Sequence, residues 1–535
     1  MQRKSLWQHP VFLSVISGVL LWGSWPTSPL TPLIFFAWVP LLSLEARSTR
    51  LLRFWLLTWL TMLVWNVATT WWVGNTTVPT SGILANVLNA LIMTVPWLGY
   101  WKTRRRFGQT AGFVSLIAYW LTFEYIHLNW ELSWPWLTLG NVFALHPGWV
   151  QWYEWTGASG GTIWVWAVNI LIFVSLNSPR RARAAALAIA LPLLLSISIR
   201  AYRAPLRDIP KNGPNIVVVQ PNIDPYNEKF QNGTEVQQLA KLIALSDTAV
   251  DTATDAVIWP ETAIPFAVDE SRFWQTPVLK PIEAFLERHP RVRLLTGLAG
   301  YRTLPADTST AAMRHDDATG QNYEEYNTAL ETDTSGRLEF YHKGKLVPGA
   351  EIIPYTWLFG FLEKMSLDMG GTSGTLGRGA DRVVFSPTAS GYRLAPIICY
   401  ESIYGAYVTG YVRNGATVLA VITNDGWWGD TEGYRQHQQY ARLRAIETRR
   451  WVARSANTGI SCFIDPLGKV YDAQPYNTMA AIKMRVRPLT VMTLFDRWGD
   501  WLSVLATAWT LLALGAAVVL RVQRLFGRRV PGPKP

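Results

Sequence analysis

The chain has 535 residues, a formal net charge of +12 and 29 tryptophans. This length predicts more than one domain, and so many tryptophans exclude an ordinary soluble cytosolic enzyme. The charge does not predict a nucleic-acid partner, because the basic residues form short clusters between apolar segments, where they fix membrane topology. The tryptophans gather near the ends of those segments, where amphipathic rings favour the membrane interface.

About eight apolar segments are long enough to cross a bilayer, which takes roughly 17–25 residues each. They lie near residues 10–26, 29–46, 51–73, 81–101, 110–128, 159–177, 183–200 and 500–520. We therefore predict a polytopic α-helical membrane domain over 1–200, a final membrane helix over 500–521 and a basic, Pro-rich cytoplasmic tail over 522–535. The first two segments are short and close together, which favours a hairpin. No segment has the pattern of a removed signal peptide.

The basic clusters predict the orientation of these spans. They are Arg3 and Lys4; Arg47, Arg50 and Arg53; Lys102, Arg104, Arg105 and Arg106; Arg180, Arg181 and Arg183; and Arg521, Arg524, Arg528 and Arg529. All fall on one side if every segment crosses, and the positive-inside rule assigns that side to the cytoplasm. The segment from about 201 to 499 then lies outside the cytoplasm, although Arg200, Arg203 and Arg207 are a mild exception. The aromatic connection 129–158 fits a re-entrant piece or a plain interfacial loop equally well.

From residue 214 the pattern changes to short apolar runs separated by polar helical stretches. Predicted strands lie at 216–219, 256–259, 294–297, 394–398 and 418–422, and predicted helices at 236–249, 281–288 and about 435–454. In the last helix Tyr440, Leu443, Ile446 and Trp451 are spaced for one apolar face. Strands that alternate with helices predict an α/β domain over about 214–490.

Three predicted strands end in residues that a buried sheet does not need. Glu261 follows 256–259, Lys343 follows Leu338-Glu339-Phe340, and Cys399 ends the run 394–398. The chain has only two cysteines, so Cys399 cannot belong to a disulfide framework. A carboxylate can take the thiol proton, and an ammonium can lower the thiol pKa and stabilise an oxyanion. Together the three groups form a complete set for acyl transfer.

These motifs resemble the carbon–nitrogen hydrolase (nitrilase) superfamily, which has a Glu-Lys-Cys triad. The matching segments are Trp259-Pro260-Glu261-Thr262, Tyr341-His342-Lys343, Cys399-Tyr400-Glu401, Val219-Gln220-Pro221-Asn222-Ile223, Thr423-Asn424-Asp425-Gly426-Trp427, Gln436-His437 and Asn457-Thr458-Gly459. The membrane spans around such a domain make the chain similar to the apolipoprotein N-acyltransferases of Gram-negative bacteria. The resemblance covers nearly the whole chain and implies an αββα sandwich for the outer domain.

The resemblance also implies roles for individual residues. Glu261 is expected to be the base, Lys343 the oxyanion partner and Cys399 the nucleophile. Supporting roles fall to Glu351, Tyr400 and Glu401, and substrate-binding roles to Trp427, Phe230 and Asn424. Two positions depart from the family pattern: Gly349-Ala350 stands where Phe-Gly usually precedes the glutamate, and Phe230 stands where many members have tryptophan.

Other polar residues are given structural interpretations. Lys345 is a rival to Lys343 on local sequence, Cys462 is interpreted as a core thiol, and Asp425 and Glu447 as ion-pair partners. His437 is expected to form hydrogen bonds near the site. The sequence shows no metal-ligand spacing and no phosphate-binding loop, so we predict neither metal nor cofactor. The glycine-rich segment 370–377 fits a mobile lid.

The implied reaction begins with attack of Cys399 on the sn-1 ester of a phospholipid of the bacterial inner membrane. The α-amine of an S-diacylglyceryl-cysteine apolipoprotein then receives the acyl chain on the periplasmic side. One alternative is a membrane-anchored amidase or nitrilase that uses water as the acceptor. Another is a transporter or scaffold, but the spans carry few ionisable residues, of which Glu124 is the main one.

Overall fold

The apolar segments form helices in a computed structural model that describes residues 9–75, 79–176, 178–305, 307–355, 375–388 and 391–527. The helices of the membrane part are α1 (Pro10–Ser24), α2 (Val39–Arg47), α3 (Leu51–Thr70), α4 (Pro79–Ile92), α5 (Val95–Phe107), α6 (Gln109–Asn129), α7 (Tyr153–Thr156), α8 (Ala158–Ser175) and α9 (Pro179–Arg203). Arg3, Lys4, Arg528, Arg529, the Pro-rich tail and most of the glycine-rich segment 370–377 lie outside the described residues.

Six of the eight predicted spans are long and apolar enough to cross a bilayer. Among the described residues they are the helical segments Leu51–Gly74, Gly82–Phe107 (parts of α4 and α5), Gln109–Asn129, Ala158–Ser175, Arg181–Arg207 and Trp501–Gln523. The first predicted span is the 15-residue helix α1. The second, 29–46, is not one helix but a 3-10 turn followed by the nine-residue α2. Pro29, Pro32 and Pro40 account for this break, because proline lacks the N–H that a continuous helix requires.

Segment 129–158 is an irregular, buried layer between the helices and the outer domain. It consists of three 3-10 turns, Pro135–Leu137, Leu139–Leu145 and Pro147–Trp149, followed by α7. Trp136, Leu139 and Phe143 are almost fully buried. A buried irregular segment needs hydrogen-bond partners within the protein for its backbone polar groups. Glu124 of α6 supplies one, because it accepts a hydrogen bond from the Leu139 amide at 2.8 Å.

The outer part contains two β-sheets. The strands are β1 (Asn215–Gln220), β2 (Ala256–Ile258), β3 (Ile264–Asp269), β4 (Arg293–Thr303), β5 (Arg314–Asp316), β6 (Gln321–Thr332), β7 (Leu338–His342), β8 (Leu394–Ile398), β9 (Val418–Thr423), β10 (Trp451–Ala456), β11 (Cys462–Ile464), β12 (Val470–Tyr471) and β13 (Ala480–Arg485). One sheet has the order β13-β1-β2-β4-β6-β5, with β3 beside β4 and β7 beside β6, and the other has the order β12-β11-β10-β9-β8.

The remaining helices are α10 (Glu235–Ala249), α11 (Lys280–Arg288), α12 (Gly405–Arg413), α13 (Glu432–Thr448), α14 (Leu494–Trp498) and α15 (Trp501–Gly527). Alternate residues of β1 show how the layers stack. Val217 and Val219 pack with α10 and α11 in one apolar cluster. Ile216 and Val218 belong to the cluster that contains the second sheet, α12 and α13. Helices therefore cover both outer faces, and the αββα sandwich is confirmed.

One predicted helix is too long. Helix α13 ends at Thr448 instead of near residue 454, and Trp451 lies on strand β10. Arg449 has a left-handed backbone with φ of +50°, which ends the helix. Trp451 fits the helical spacing by coincidence, because a buried residue of the next strand continues the apolar pattern.

Helix α13 and the turn that follows it lie against the membrane part. Trp25 Nε1 donates to the Tyr440 hydroxyl at 3.0 Å, and Trp136 Nε1 donates to Gln436 Oε1 at 2.6 Å. Arg449 pairs with Glu154 at 2.7 Å. The second sheet and its helices are thus fixed directly to the membrane helices, and whatever site this sheet carries lies close to the bilayer.

Candidate active site

Glu261, Lys343 and Cys399 meet at one edge of the sandwich. Each follows a strand: Glu261 comes after β2, Lys343 directly after β7 and Cys399 directly after β8. The three residues are 6 %, 1 % and 8 % exposed, so they lie in a nearly sealed site. Lys343 Nζ donates to Glu261 Oε1 at 3.1 Å. Glu261 lies 82 positions before Lys343 in the chain, and Cys399 lies 56 positions after it. The folding of the sheets therefore brings the three residues together.

Cys399 sits on a sharp turn from strand to helix. Its φ is +47°, a left-handed conformation that few non-glycine residues adopt. A 3-10 helix begins at this residue and runs from Cys399 to Ile403. The first amides of a helix have no acceptor within the helix, so the Tyr400 N–H is available beside the thiol. Such a turn presents the sulfur and an oxyanion donor together, as a nucleophile elbow does.

The charges of the cluster define its resting state. Burial disfavours a carboxylate at Glu261, but the Lys343 ammonium and a hydrogen bond from Asn327 outweigh it and hold the pKa of Glu261 below its usual value. The pKa of Lys343 is raised, because Glu261 and Glu351 outweigh its burial. Burial and the Glu261 charge raise the pKa of Cys399 well above its usual value. The resting cluster therefore holds a thiol, a carboxylate and an ammonium, and a base must remove the thiol proton during the reaction.

Glu351 completes the polar network despite the unusual Gly349-Ala350 before it. It accepts hydrogen bonds from Lys343 Nζ at 2.8 Å, Asn327 Nδ2 at 2.9 Å and the Val347 amide at 2.8 Å. Gly349 has a φ of +83°, which glycine adopts without strain. The departure from the family pattern thus leaves the second carboxylate in contact with Lys343.

Glu401 holds the Lys343 loop against the nucleophile strand. Its carboxylate accepts hydrogen bonds from the Ile398 amide at 2.9 Å, the Gly344 amide at 2.7 Å and the Tyr341 hydroxyl at 2.5 Å. Burial raises the pKa of Glu401. Tyr400 points toward the membrane part, where its hydroxyl donates to the Ser133 carbonyl at 2.8 Å. These two neighbours of Cys399 therefore fix the site from opposite sides.

Of the three predicted substrate-binding residues, Asn424 contacts the triad directly, and Phe230 and Trp427 contact each other. The Asn424 amide donates to Glu261 Oε2 at 2.9 Å. The Phe230 and Trp427 rings stack with centroids 6.0 Å apart at 17°. Phe230, one of the two positions that depart from the expected pattern, thus presents an aromatic face to Trp427.

Sequence reasoning missed Lys229. Its side chain is 2 % exposed, and Nζ donates to the Glu261 carbonyl oxygen at 2.9 Å. Burial lowers the pKa of Lys229 to about 8, although the Glu261 charge acts in the opposite direction. The one available signal was its position directly before Phe230. Asn327 was missed as well, although it bridges the two carboxylates.

Asp425 and His437 also come close to the thiol. The side-chain atoms of Cys399, Asp425 and His437 that could bind a metal ion all lie within 4.8 Å of one another. The sequence did not reveal this arrangement, because Asp425 and His437 are 12 residues apart. Asp425 pairs with Arg454 at 2.5 Å and with His437 Nδ1 at 2.8 Å. His437 Nε2 lies 3.1 Å from the Cys399 carbonyl oxygen. The carboxylate is thus neutralised by protein groups and supports the nucleophile turn, while the absence of a metal stays a prediction.

The structural interpretations of the remaining residues agree with their surroundings. Lys345 Nζ donates to the Leu128 carbonyl oxygen at 2.8 Å, on the membrane side of the site. Cys462 is fully buried on β11, and burial raises its pKa to about 11. Glu447 pairs with Arg444 at 2.7 Å.

Comparison with known proteins places the chain in a family. The carbon–nitrogen hydrolase model matches residues 216–487, and the model of the apolipoprotein N-acyltransferase N-terminal domain matches residues 17–171. An apolipoprotein N-acyltransferase of Chlorobaculum tepidum is 33% identical over 484 residues, which cover 88% of this chain and 89% of that protein. The chain belongs to the apolipoprotein N-acyltransferase family. The resemblance carried by the motifs is thereby confirmed.

A second apolipoprotein N-acyltransferase and a solved amidase are also similar to this chain. A relative of that name from Geobacter metallireducens is 27% identical over 533 residues, with coverage of 95% of this chain and 94% of its own. A solved amidase of the nitrilase superfamily from Nesterenkonia AN1 is 14% identical, with a TM-score of 0.36 and coverage of 52% of this chain and 93% of that chain. The long alignments to apolipoprotein N-acyltransferases include both the membrane helices and the sandwich.

Proposed function

We propose that this enzyme transfers an acyl chain from the sn-1 position of a phospholipid to the α-amine of an N-terminal S-diacylglyceryl-cysteine. The observation that carries the proposal is a Glu-Lys-Cys cluster fixed to membrane helices in a member of the apolipoprotein N-acyltransferase family. A phospholipid ester and a lipidated amine are both substrates that reside in a membrane, and Tyr400 and Lys345 beside the site contact the membrane part.

In the first half-reaction the Cys399 sulfur attacks the ester carbonyl while Glu261 takes the thiol proton. Negative charge develops on the carbonyl oxygen, where the Lys343 ammonium and the Tyr400 amide are placed to stabilise it. The carbon–oxygen bond to the glycerol then breaks, and Glu261 returns the proton to the departing alkoxide. The products are a Cys399 thioester and a lysophospholipid.

In the second half-reaction the neutral α-amine of the apolipoprotein attacks the thioester carbonyl. Glu261 accepts the amine proton and returns it to the Cys399 sulfur as the carbon–sulfur bond breaks. The products are an amide and the free enzyme, which is ping-pong chemistry. The nearly sealed site, with Cys399 at 8 % exposure, limits attack by water on the thioester.

We further propose that the enzyme is a multi-pass protein of the bacterial inner membrane. Its membrane domain covers 1–200, its catalytic domain 214–490, its final membrane helix 500–521 and its cytoplasmic tail 522–535. The proposal is supported by the position of the basic clusters and the sandwich at opposite ends of the membrane helices. Arg104 and Arg105 pair with Glu45 at one end of the helices. Trp72, after the other end of α3, packs against Trp428 of the sandwich. The positive-inside rule then assigns the sandwich to the periplasm.

The test separates acyl transfer from hydrolysis. With a labelled phospholipid alone, the enzyme should turn over about once and accumulate a thioester on Cys399. A diacylglyceryl-cysteine peptide with a free α-amine should restart turnover and carry the label into an amide, whereas the N-acetylated peptide should not. Cys462→Ala is the matched control and should keep the adduct that Cys399→Ala loses. Steady release of free fatty acid without peptide would show that water is the acceptor and would favour the hydrolase.

A further inference from the structure

A cavity of about 770 Å³ lies where helix α9 meets the sandwich. Its lining includes Leu193, Ile197 and Arg200 of α9, Arg207 of the turn that follows, Arg442 of α13 and Lys469 of the β11–β12 turn. None of the residues assigned to the triad or its support lines it. The cavity is therefore separate from the catalytic cluster, and the acyl-transfer mechanism leaves it unexplained.

The α9 side of the cavity changes from apolar to cationic along the helix. Leu193, Ile197 and Arg200 follow a spacing of four and three residues, which places them on one helix face. Helix α9 is a candidate membrane span with only 17% of its apolar window buried inside the protein, and Ile197 is 62% exposed. Trp149, an aromatic residue of the type enriched at membrane interfaces, also lines the cavity. We therefore infer that the cavity extends from the hydrocarbon region of the bilayer to the headgroup level on the side of the sandwich.

The cationic end carries more positive charge than the protein neutralises. Arg207 pairs with Asp465 at 2.6 Å. Arg442 donates to neutral oxygens, those of Gly468 at 2.8 Å, Leu145 at 3.1 Å and the Gln439 side chain at 2.5 Å.

Burial lowers the pKa of Arg442 to about 10, which still leaves the guanidinium charged at neutral pH. Arg200 and Lys469 are exposed, and within the described part of the chain neither has a carboxylate partner within 4 Å. Among the described residues, three of the four cations therefore lack a carboxylate partner within 4 Å, and Lys469 Nζ lies 4.5 Å from the centroid of the Tyr471 ring.

We propose that this cavity binds the phosphate group of an anionic phospholipid, held as a resident lipid with its acyl chains along Leu193 and Ile197. Guanidinium groups form strong, paired hydrogen bonds to phosphate oxygens, and basic pockets beside membrane helices select anionic headgroups. The lipid would join α9 to α13 and to the β11–β12 turn. It differs from the acyl donor, because Cys399 is not among the residues that line the cavity.

The test counts lipids bound to the full chain by native mass spectrometry. Cys399→Ala is used as the background so that no thioester forms, and phosphatidylglycerol is added in detergent. Replacing two exposed cations with Arg200→Gln/Lys469→Gln should lower the highest adduct count by one and the bound fraction at that site at least about fivefold. The control Arg272→Gln/Lys280→Gln removes the same charges from exposed positions outside the cavity and should change neither.

Two further ligands identify what is recognised. Diacylglycerol, which lacks phosphate, should not fill the site, and inorganic phosphate should compete only weakly because it lacks acyl chains. An unchanged adduct count in Arg200→Gln/Lys469→Gln would overturn the proposal, as would an equal loss in the control. Binding of inorganic phosphate as tight as that of phosphatidylglycerol would identify a free-anion site instead of a lipid site. Because Cys399 is absent, these results hold whether or not acyl transfer is confirmed.

Discussion

Two lysines at the end of strand β7 have different surroundings although only one residue separates them. Lys343 contacts Glu261 and Glu351 inside the site. Lys345 contacts the Leu128 carbonyl oxygen and lies 4.8 Å from the Tyr404 ring centroid, toward the membrane helices. The intervening Gly344 donates its amide to Glu401. This hydrogen bond fixes the loop, so the two ammonium groups cannot exchange roles without breaking it.

We expect Lys343→Ala to slow formation of the Cys399 thioester by about 10²-fold or more, because the developing oxyanion loses a charged donor. Lys345→Ala should slow it by less than about fivefold, because it removes a contact outside the triad. Rapid-quench intact mass measurement with a phospholipid donor gives both rates. Equal losses in the two variants would contradict the assignment of Lys343.

Lys229 gives the site a second ammonium with an unusual titration. Its charge acts on Glu261 and Cys399, and its pKa is lowered to about 8 by burial. As pH rises through 8, the folded protein loses this charge, whereas an exposed lysine keeps it to about pH 10.4. The site therefore becomes more negative over a range in which the other members of the cluster do not change.

We expect thioester formation to show an alkaline limb with a midpoint near pH 8, since loss of the Lys229 charge weakens stabilisation of the thiolate and the oxyanion. Lys229→Met should lack this limb and react about tenfold more slowly at pH 7. Lys241→Met, which removes a nearby lysine that contacts the Asn222 carbonyl oxygen, should keep the limb. An unchanged limb in Lys229→Met would show that another group titrates there.

At the scale of elements, strands with an uninterrupted apolar run were predictable, and the paired strands without such a run were not. Strands β1, β8 and β9 are buried along their whole length, so their sequences contain uninterrupted apolar runs. Strands β11 and β12 have only three and two residues, too few for a period to emerge. The triad was found because its members directly follow strands. Lys229 and Asn327 reach the site through tertiary contacts. The spacing of residues in the sequence does not reveal such contacts.

The turn from helix α13 to strand β10 also fixes the sandwich to the membrane part. Arg449 at that turn pairs with Glu154 and donates to the Gln151 side chain at 2.7 Å. Arg203, at the end of α9, pairs with the same carboxylate at 3.0 Å. A single buried glutamate thus pairs with two guanidinium groups from different regions of the chain.

We expect Glu154→Gln to lower the free energy of unfolding by about 3–5 kcal/mol, because it leaves a buried arginine without its carboxylate. Asp430→Asn removes one partner of the exposed Arg435–Asp430 pair and should change stability by less than about 1 kcal/mol. Thermal unfolding of the purified proteins in one detergent compares the two. A Tm for Glu154→Gln within a degree of the parent would show that this ion pair does not stabilise the junction.

At the scale of the whole molecule, helices α3 and α6 each have one end near a basic cluster and the other end near the sandwich. Helix α3 begins beside Arg50 and leads into Trp72, which packs on Trp428. Helix α6 follows the Arg104–Arg106 cluster and ends near Leu128, which contacts Lys345. In these two helices the basic clusters therefore lie at the ends away from the sandwich. That separation makes membrane sidedness measurable with single labels.

We expect a membrane-impermeant maleimide to label Ser335→Cys, on an exposed turn of the sandwich, in intact spheroplasts of a Gram-negative host. It should label Ser48→Cys and Arg181→Cys only after permeabilisation, because basic loops stay in the cytoplasm. The background is Cys399→Ala/Cys462→Ala, which removes both native thiols. Labelling of Ser48→Cys but not Ser335→Cys in intact cells would place the catalytic site in the cytoplasm. Periplasmic apolipoproteins would then be out of reach, and the proposed acceptor would fail with the topology.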